Sequence, residues 1–400
     1  MVLSERICSL RLIPEIDPVN QMRWEPLLPP QPPPLPSLVA FSGDRGGFFR
    51  LVTKGAALEL VTAGFYRFWL ATDIRRHLWS STVIDGDAAE YTGRGKELLI
   101  GFLFALAILV PIYLVYFLIT VEVERSKAFA SIPLVLAFYA FGQFAIYRAR
   151  RYRLTRTVWR GVRFWMDGSG WAYAWRAMLW GLLALLTLGL ALPWREASLE
   201  RYKMSHSYYG TLQGSFQGQG LEFFKSAWHL WLLAPFALVL FPFFPLLYAK
   251  FRAAEWRWWL AGIRFGEVRL ESNIESSALH GLYWTVIGWY WLLFVIAGAY
   301  FGTVAAVVAK LSGASLSQPA GAQALSTSIP LLVLTVIGYL ALILSLNVVL
   351  RVYLVRDIWE RVLQSLRIYD LSAVADVATK GELASALGEG FADGLDVAGF

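Results

Sequence analysis

The sequence predicts an all-α polytopic membrane protein with small β-hairpin modules in its loops, internally duplicated. Three observations carry that expectation. Apolar residues make up 57% of the 400 positions and charged ones only 16%, against about 25% charged in a typical soluble domain; mean hydropathy is +0.51. Several uncharged runs have the length of a bilayer crossing. Short motifs recur along the chain at constant offsets.

In chain order, residues 1–40 form a proline-rich tether. Glu5, Arg6, Arg11, Glu15 and Asp17 leave no apolar h-region, so no signal peptide is expected. The seven prolines from Pro26 to Pro36 favour an extended polyproline conformation rather than a core. The run 98–118 has 21 uncharged positions, about 31 Å as a helix at ~1.5 Å per residue. By the same test 129–147, 228–248, 284–309 and 329–350 span a bilayer. The 18-residue run 177–194 is marginal, and 51–70 is interrupted by Lys54, Glu59 and Arg67. Tryptophans such as Trp69, Trp175, Trp194 and Trp284 stand at run ends, where an amphipathic ring suits the interface.

Arginines crowd 148–176, recur through 250–270 and follow the last run at Arg351, Arg356, Arg361 and Arg367, whereas 310–328 holds only Lys310. The positive-inside rule places the large loops and the C-terminus in the cytoplasm. A parity conflict results, because 51–70, 177–194 and 228–248 have basic residues at both ends. The first two are expected to dip in as half-helices or lie in the interface, and Pro235, Pro242 and Pro245 to bend the third.

At an offset of 125, Thr62-Ala-Gly64 matches Thr187-Leu-Gly189, Trp69 matches Trp194, and Arg76 matches Arg201. Tyr91-Thr-Gly93-Arg-Gly95-Lys-Glu97 matches Phe216-Gln-Gly218-Gln-Gly220-Leu-Glu222, with Phe41-Ser-Gly43 a looser copy. At an offset of 75, Arg76, Thr82, Gly86, Gly93 and Gly95 match Arg151, Thr157, Gly161, Gly168 and Gly170. The module reads as apolar segment, arginine-bearing helix, Thr-x-x-x-Gly, short strand, Gly-x-Gly, next helix, so each loop is expected to fold as a β-hairpin. Four units follow: the tether 1–40, a first membrane repeat 41–165, a second repeat with a terminal helix pair 166–369, and an acidic tail 370–400. In that tail Leu383, Leu387, Phe391 and Leu395 form one apolar helical face.

Two readings stand for each polar position. Glu97 and Glu222 are ion or proton ligands, or carboxylates matching the helix dipole. Arg76, Arg151 and Arg201 bind lipid phosphate or an anionic substrate, or anchor helices at the headgroups. Thr62 and Thr187, with Gly64 and Gly189, line a broken-helix site or let helices approach closely, as Gly298-x-x-x-Gly302 does. Cys8 is the only cysteine, and the four histidines are scattered. No catalytic set, metal site or cofactor is therefore expected, and an enzyme is the least favoured class. The partners expected are anionic membrane lipids and no nucleic acid, with a homo-oligomer left open.

The sequence resembles the YjgN-like family of bacterial inner-membrane proteins, a domain of unknown function. Phe41-Ser-Gly43, Thr62-Ala-Gly64-Phe-Tyr-Arg-Phe-Trp69, Tyr91-Thr-Gly93-Arg-Gly95-Lys-Glu97-Leu-Leu, Thr187-Leu-Gly189 and Leu387-Gly-Glu389-Gly-Phe-Ala-Asp393 carry the resemblance across about 41–397. The resemblance implies a multi-pass protein of the bacterial cytoplasmic membrane and brings no activity, cofactor or site residue. Function is read as a transporter or channel-like protein for a small solute or lipid, or alternatively a structural, lipid-organising one.

Overall fold

The computed structural model describes residues 36–123, 132–233, 243–313, 328–381 and 383. The tether up to residue 35, most of the apolar face of the tail and part of the 228–248 run lie outside the described residues. Among the described residues four helices are long and apolar enough to cross a membrane: Gly95–Phe117, Ile132–Thr155, Ser276–Leu311 and Ile329–Ser365. Their apolar side chains face outward; Leu114, Phe117, Phe294 and Val295 are all more than half exposed, as lipid-facing surfaces are.

The expectation of an all-α protein with separate hairpins is corrected by the sheet. The strands are β1 (Ser37–Phe41), β2 (Thr82–Ile84), β3 (Asp87–Ala88), β4 (Glu90–Tyr91), β5 (Thr157–Trp159), β6 (Val162–Met166), β7 (Ser207–Tyr209), β8 (Leu212–Phe216), β9 (Ile263–Phe265), β10 (Val268–Ser272) and β11 (Leu366–Tyr369). They form one antiparallel sheet in the order β3-β2-β1-β11-β10-β9-β8-β7-β6-β5-β4. Its two outer strands, β3 and β4, are separated in sequence by Ala89 alone, so the sheet curls back to its starting strand as a barrel. The physical reason is edge pairing. An isolated hairpin leaves two rows of backbone N–H and C=O groups unpaired and is marginal in water; joining the hairpins side by side satisfies those rows.

Four of the barrel's hairpins are local. Asp85-Gly86 and Arg160-Gly161 turn two of them with φ of 52°, 86°, 49° and 73°, the primed turn that matches strand twist. The fifth pair is made from the two ends of the described chain. β1 lies antiparallel to β11, with Ser37 opposite Ile368 and Leu38 opposite Arg367. Arg356 sits beneath this junction, 4% exposed by side chain, and donates to Gly43 O at 2.8 Å, Asp357 Oδ1 at 2.7 Å and Glu360 Oε2 at 2.8 Å. Arg45 donates to Asp357 Oδ2 at 2.8 Å.

Helical hairpins leave and return between the strands: α1 (Arg45–Val61) with α2 (Arg67–Ser80), α3 (Gly95–Val123) with α4 (Ile132–Thr155), and α5 (Gly170–Leu186) with α6 (Leu192–Ser205). Then come α7 (Gly220–Leu233), kinked at Ala227, with α8 (Phe244–Gly262), and α9 (Ser276–Ser312) with α10 (Ile329–Leu350). A π-helical turn, Arg351–Arg356, joins α10 to α11 (Asp357–Ser365). The runs 51–70 and 177–194 are therefore not single helices. Each breaks at a tight turn in which Thr62 or Thr187 donates its hydroxyl to Leu58 O or Leu183 O and accepts from Tyr66 N or Ala191 N. The turns are apolar and exposed, with Val61 at 82% and Leu188 at 93%. Glu59, which interrupts the first run, pairs with Arg351 at 3.2 Å where both side chains are largely buried.

The recurring Gly-x-Gly sequences form the elbows from strand to helix, and most are needed for space rather than for turning. A Cβ on Gly43, Gly93 or Gly218 would meet the ring of Phe41, Tyr91 or Phe216 at 2.6 Å, and one on Gly95 or Gly220 would meet the Cα of Trp69 or Trp194 at 2.8 or 2.7 Å. The aromatic two residues before the glycine and the matched tryptophans are thus parts of one joint. Thr82, Thr157 and Ser207 make the opposite joint, each hydroxyl donating to the carbonyl four residues back as the helix ends.

Removing the Arg356 guanidinium leaves the buried Asp357 carboxylate to Arg45 alone and takes the side-chain donor from the Gly43 carbonyl. Arg356→Ala is expected to cost about 1–3 kcal/mol, measured as a lowered thermal unfolding midpoint in detergent, with Arg361→Ala, on the helix that follows, changing it little.

Candidate functional site: an axial chamber above the barrel

Each helix that runs into a first strand (α2, α4, α6, α8 and α11) ends on the barrel rim, and these five enclose a chamber of about 400 Å³. Glu196, Glu200 and Lys203 recur at i, i+4 and i+7 on one face of α6, and Arg252, Glu255 and Trp259 at i, i+3 and i+7 on one face of α8. Arg150 and Arg153 face them from α4.

The charges form pairs, largely buried around Glu200 and half-buried elsewhere. Glu200 is held between Lys203, which donates to its Oε1, and Arg150, whose Nη1 stands 3.6 Å from its Oε2. Arg252 pairs with Glu255, and Arg195 with Glu196 at 2.5 Å. Burial alone would raise the Glu200 carboxyl, but Lys203 and Arg150 outweigh it and hold the carboxyl below the usual carboxylate range. Burial lowers the Lys203 ammonium against the pull of Glu200. At Glu255 burial prevails over Arg252 and the carboxyl is raised. Two neighbouring carboxylates are thus pushed in opposite directions, an arrangement that separates a fixed charge from a titratable one.

Beneath the chamber lies a second cavity, the barrel interior, of about 350 Å³ with an almost wholly apolar lining. The third residue of each first strand points into it: Ile84, Trp159, Tyr209, Phe265 and Ile368. Its far end is closed by Leu371 and Val374 of the short 3₁₀ helix that follows β11. The segment then runs on to the β7–β8 turn, where Thr211 N donates to Ala378 O at 3.2 Å. Trp79 and Trp359 stand between the cavities, lining both, with ring centroids 5.1 Å apart and planes 25° from parallel. The Trp79 indole N–H donates to Thr157 Oγ1 and that of Trp359 to Thr82 Oγ1, each at 3.1 Å. The threonines of Thr-x-x-x-Gly therefore hold this septum as well as the helix-to-strand joint.

The residues singled out from the sequence fall elsewhere. Glu97 sits in the first turn of α3 and accepts from Arg156 Nε at 3.0 Å and Tyr152 OH at 2.9 Å. Glu222 is exposed along an open cleft with Gln219, Ser226 and Arg257, so the two glutamates share no cavity. Arg76 donates to Gly93 O at 3.0 Å, and Arg257 makes the same bond to Ile274 O at 2.7 Å. Arg151 is half-buried and Arg201 exposed. Thr62 and Thr187 cap the two short hairpin turns, where Gly64 and Gly189 adopt φ of 89° and 90°. Around Gly298 and Gly302 nothing in the described structure lies within 4 Å of an added Cβ. The chamber charges were missed because their stretches read as basic loops; the i, i+4, i+7 spacing of Glu196, Glu200 and Lys203 was the available signal.

The opposed carboxyls separate under acid. A lowered carboxyl contributes stability above its unfolded pKa and loses it as pH falls, whereas a raised one favours the folded state below its unfolded pKa and disfavours it as pH rises. Relative to Glu200→Gln, the wild-type unfolding midpoint should fall as pH drops from 7 to 4. Relative to Glu255→Gln it should rise over the same interval.

Residues 36–394 match the family model described as a bacterial protein of unknown function, DUF898. No curated protein and no solved structure matches the chain. The match spans the barrel, every helical hairpin and the chamber, and agrees with the resemblance carried by the repeated elbows. The chain belongs to the DUF898 family of bacterial proteins of unknown function.

Proposed function

We propose that this is a multi-pass protein of the bacterial inner membrane that works as a transporter or channel-like protein, taking a small charged solute or the charged part of a lipid into the axial chamber. The observation that carries this reading is the chamber itself. Seven ionisable side chains (Arg150, Arg153, Glu196, Glu200, Lys203, Arg252 and Glu255) converge on one space between helices, where ionisable groups are costly unless they are used. The described helical hairpins return to the same barrel rim, so the strands and their turns lie on one side. The arginine-rich connections support a cytoplasmic location for that side. The short hairpins α1–α2 and α5–α6 enter and leave the bilayer from that side, which accounts for basic residues at both ends of 51–70 and 177–194. The shared offsets and shared joints fit an origin by duplication of a helical hairpin with its β-hairpin.

A second reading, lipid organisation without transport, is favoured by the apolar exposed tips of the short hairpins, Val61, Phe65, Leu186 and Leu188, beside a cationic rim suited to anionic headgroups. Assembly into homo-oligomers through the outward helix faces is compatible with both.

Proteoliposomes separate the readings. Uptake of radiolabelled solutes, or flip of a fluorescent lipid, should exceed that of empty vesicles and fall at least tenfold in Arg150→Ala and Glu200→Gln, while Glu222→Ala keeps the wild-type rate. Rates equal to empty vesicles across anionic, cationic and lipid substrates would overturn transport. Co-purified anionic lipid lost in the Arg151→Ala, Arg201→Ala double variant would then support the second reading.

A further inference from the structure

The chamber and the barrel interior are stacked on one axis and share Trp79, Leu154, Thr157 and Trp359 as a common wall, yet their linings are opposite in kind. The upper one carries four cationic side chains against three carboxylates. One of those carboxylates, Glu255, is biased by burial toward its neutral form. The lower one, at about 350 Å³, is more than twice the apolar cavity of about 150 Å³ that stays dry and takes up benzene. It also lies within the size range of small-molecule sites. A ligand satisfying both spaces has a negative head and one apolar chain. The barrel interior is one apolar space, which matches one chain.

We propose that the barrel interior receives the alkyl tail of a single-chain anionic amphiphile whose headgroup lies in the chamber. This inference rests on the chamber reading above and names its ligand class. The Trp79–Trp359 septum turns aside to admit the tail and closes over it, its two indole N–H groups exchanging their threonine partners for the headgroup side. The segment from Leu371 to Val374 closes the far end and sets the chain length accepted.

Dodecyl phosphate bearing a diazirine at the chain end, photolysed with the full chain in nanodiscs, tests this directly. Adducts are expected on Phe164, Phe265, Leu270 and Ile368. Unlabelled alkyl phosphates should compete with potency rising about fourfold per methylene from hexyl to decyl, and inorganic phosphate should not compete. Leu270→Trp, which fills the interior, should abolish these adducts; the chain-length series in the wild type probes the same site without any variant. Adducts confined to α3, α4, α9 and α10, or competition independent of chain length, would overturn the tail site. If Arg150-dependent transport persisted in that case, the chamber reading would stand alone. Barrel adducts unchanged by Arg150→Ala combined with Lys203→Ala would overturn the headgroup placement.

Discussion

A sheet of short strands survives only if its edges find partners, and here that requirement ties the beginning of the described chain to its end. β1 has no local hairpin partner and neither does β11; each completes the other. Every remaining strand except the outer β3 and β4 has a neighbour on each side, so the backbone hydrogen bonds run round the sheet from β3 to β4, which Ala89 joins. Arg356 reinforces the junction from the rim with a buried ion pair to Asp357 and a bond to the Gly43 carbonyl, and the half-exposed Arg45 pairs with the same carboxylate. Such pairs contribute more to holding one arrangement than to net stability. Their position at the one non-local hairpin is where a single arrangement is most needed.

Ring closure dictates where the helices go. Each segment between hairpins must start and finish on the rim, so the helices come in antiparallel pairs whatever their length. The two short pairs turn after 17 residues, at Val61 and Leu186; α3–α4 and α9–α10 continue through lengths able to span a membrane. Helices that run into first strands form the inner ring, and their last turns bring Arg150, Glu200, Lys203 and Glu255 together on the axis. Polar and apolar cavities meet there across a pair of tryptophans anchored on the same threonines that end the helices.

Much of the local structure was legible. Composition and run length identify the long helices, and Asp85-Gly86 or Arg160-Gly161 between β-formers announces a hairpin. The fixed offsets mark the elbows, because a glycine under an aromatic ring and a glycine against a tryptophan backbone are steric requirements that tolerate nothing larger. What could not be read were the relations between modules. Nothing local in Ser37–Phe41, adjoining a proline-rich stretch, shows that it pairs with Leu366–Tyr369, more than 300 residues away. The same distance hid the chamber. Arg150, Lys203 and Arg252 each stand among other basic residues that suggest a cytoplasmic loop, and only the ring of helices reveals that these three turn inward while Arg201 faces solvent.

The pairing of first and last strands can be measured without knowledge of any ligand. In a Cys8→Ser background, Leu38→Cys and Arg367→Cys occupy directly opposed positions of β1 and β11. Mild oxidation of the membrane-embedded protein should give one intramolecular disulfide per chain, seen as a faster-migrating species that reverts on reduction. Single-cysteine controls should not shift. Two thiols that stay fully reactive after oxidation, or cross-link only between chains, would contradict a barrel closed by its own ends.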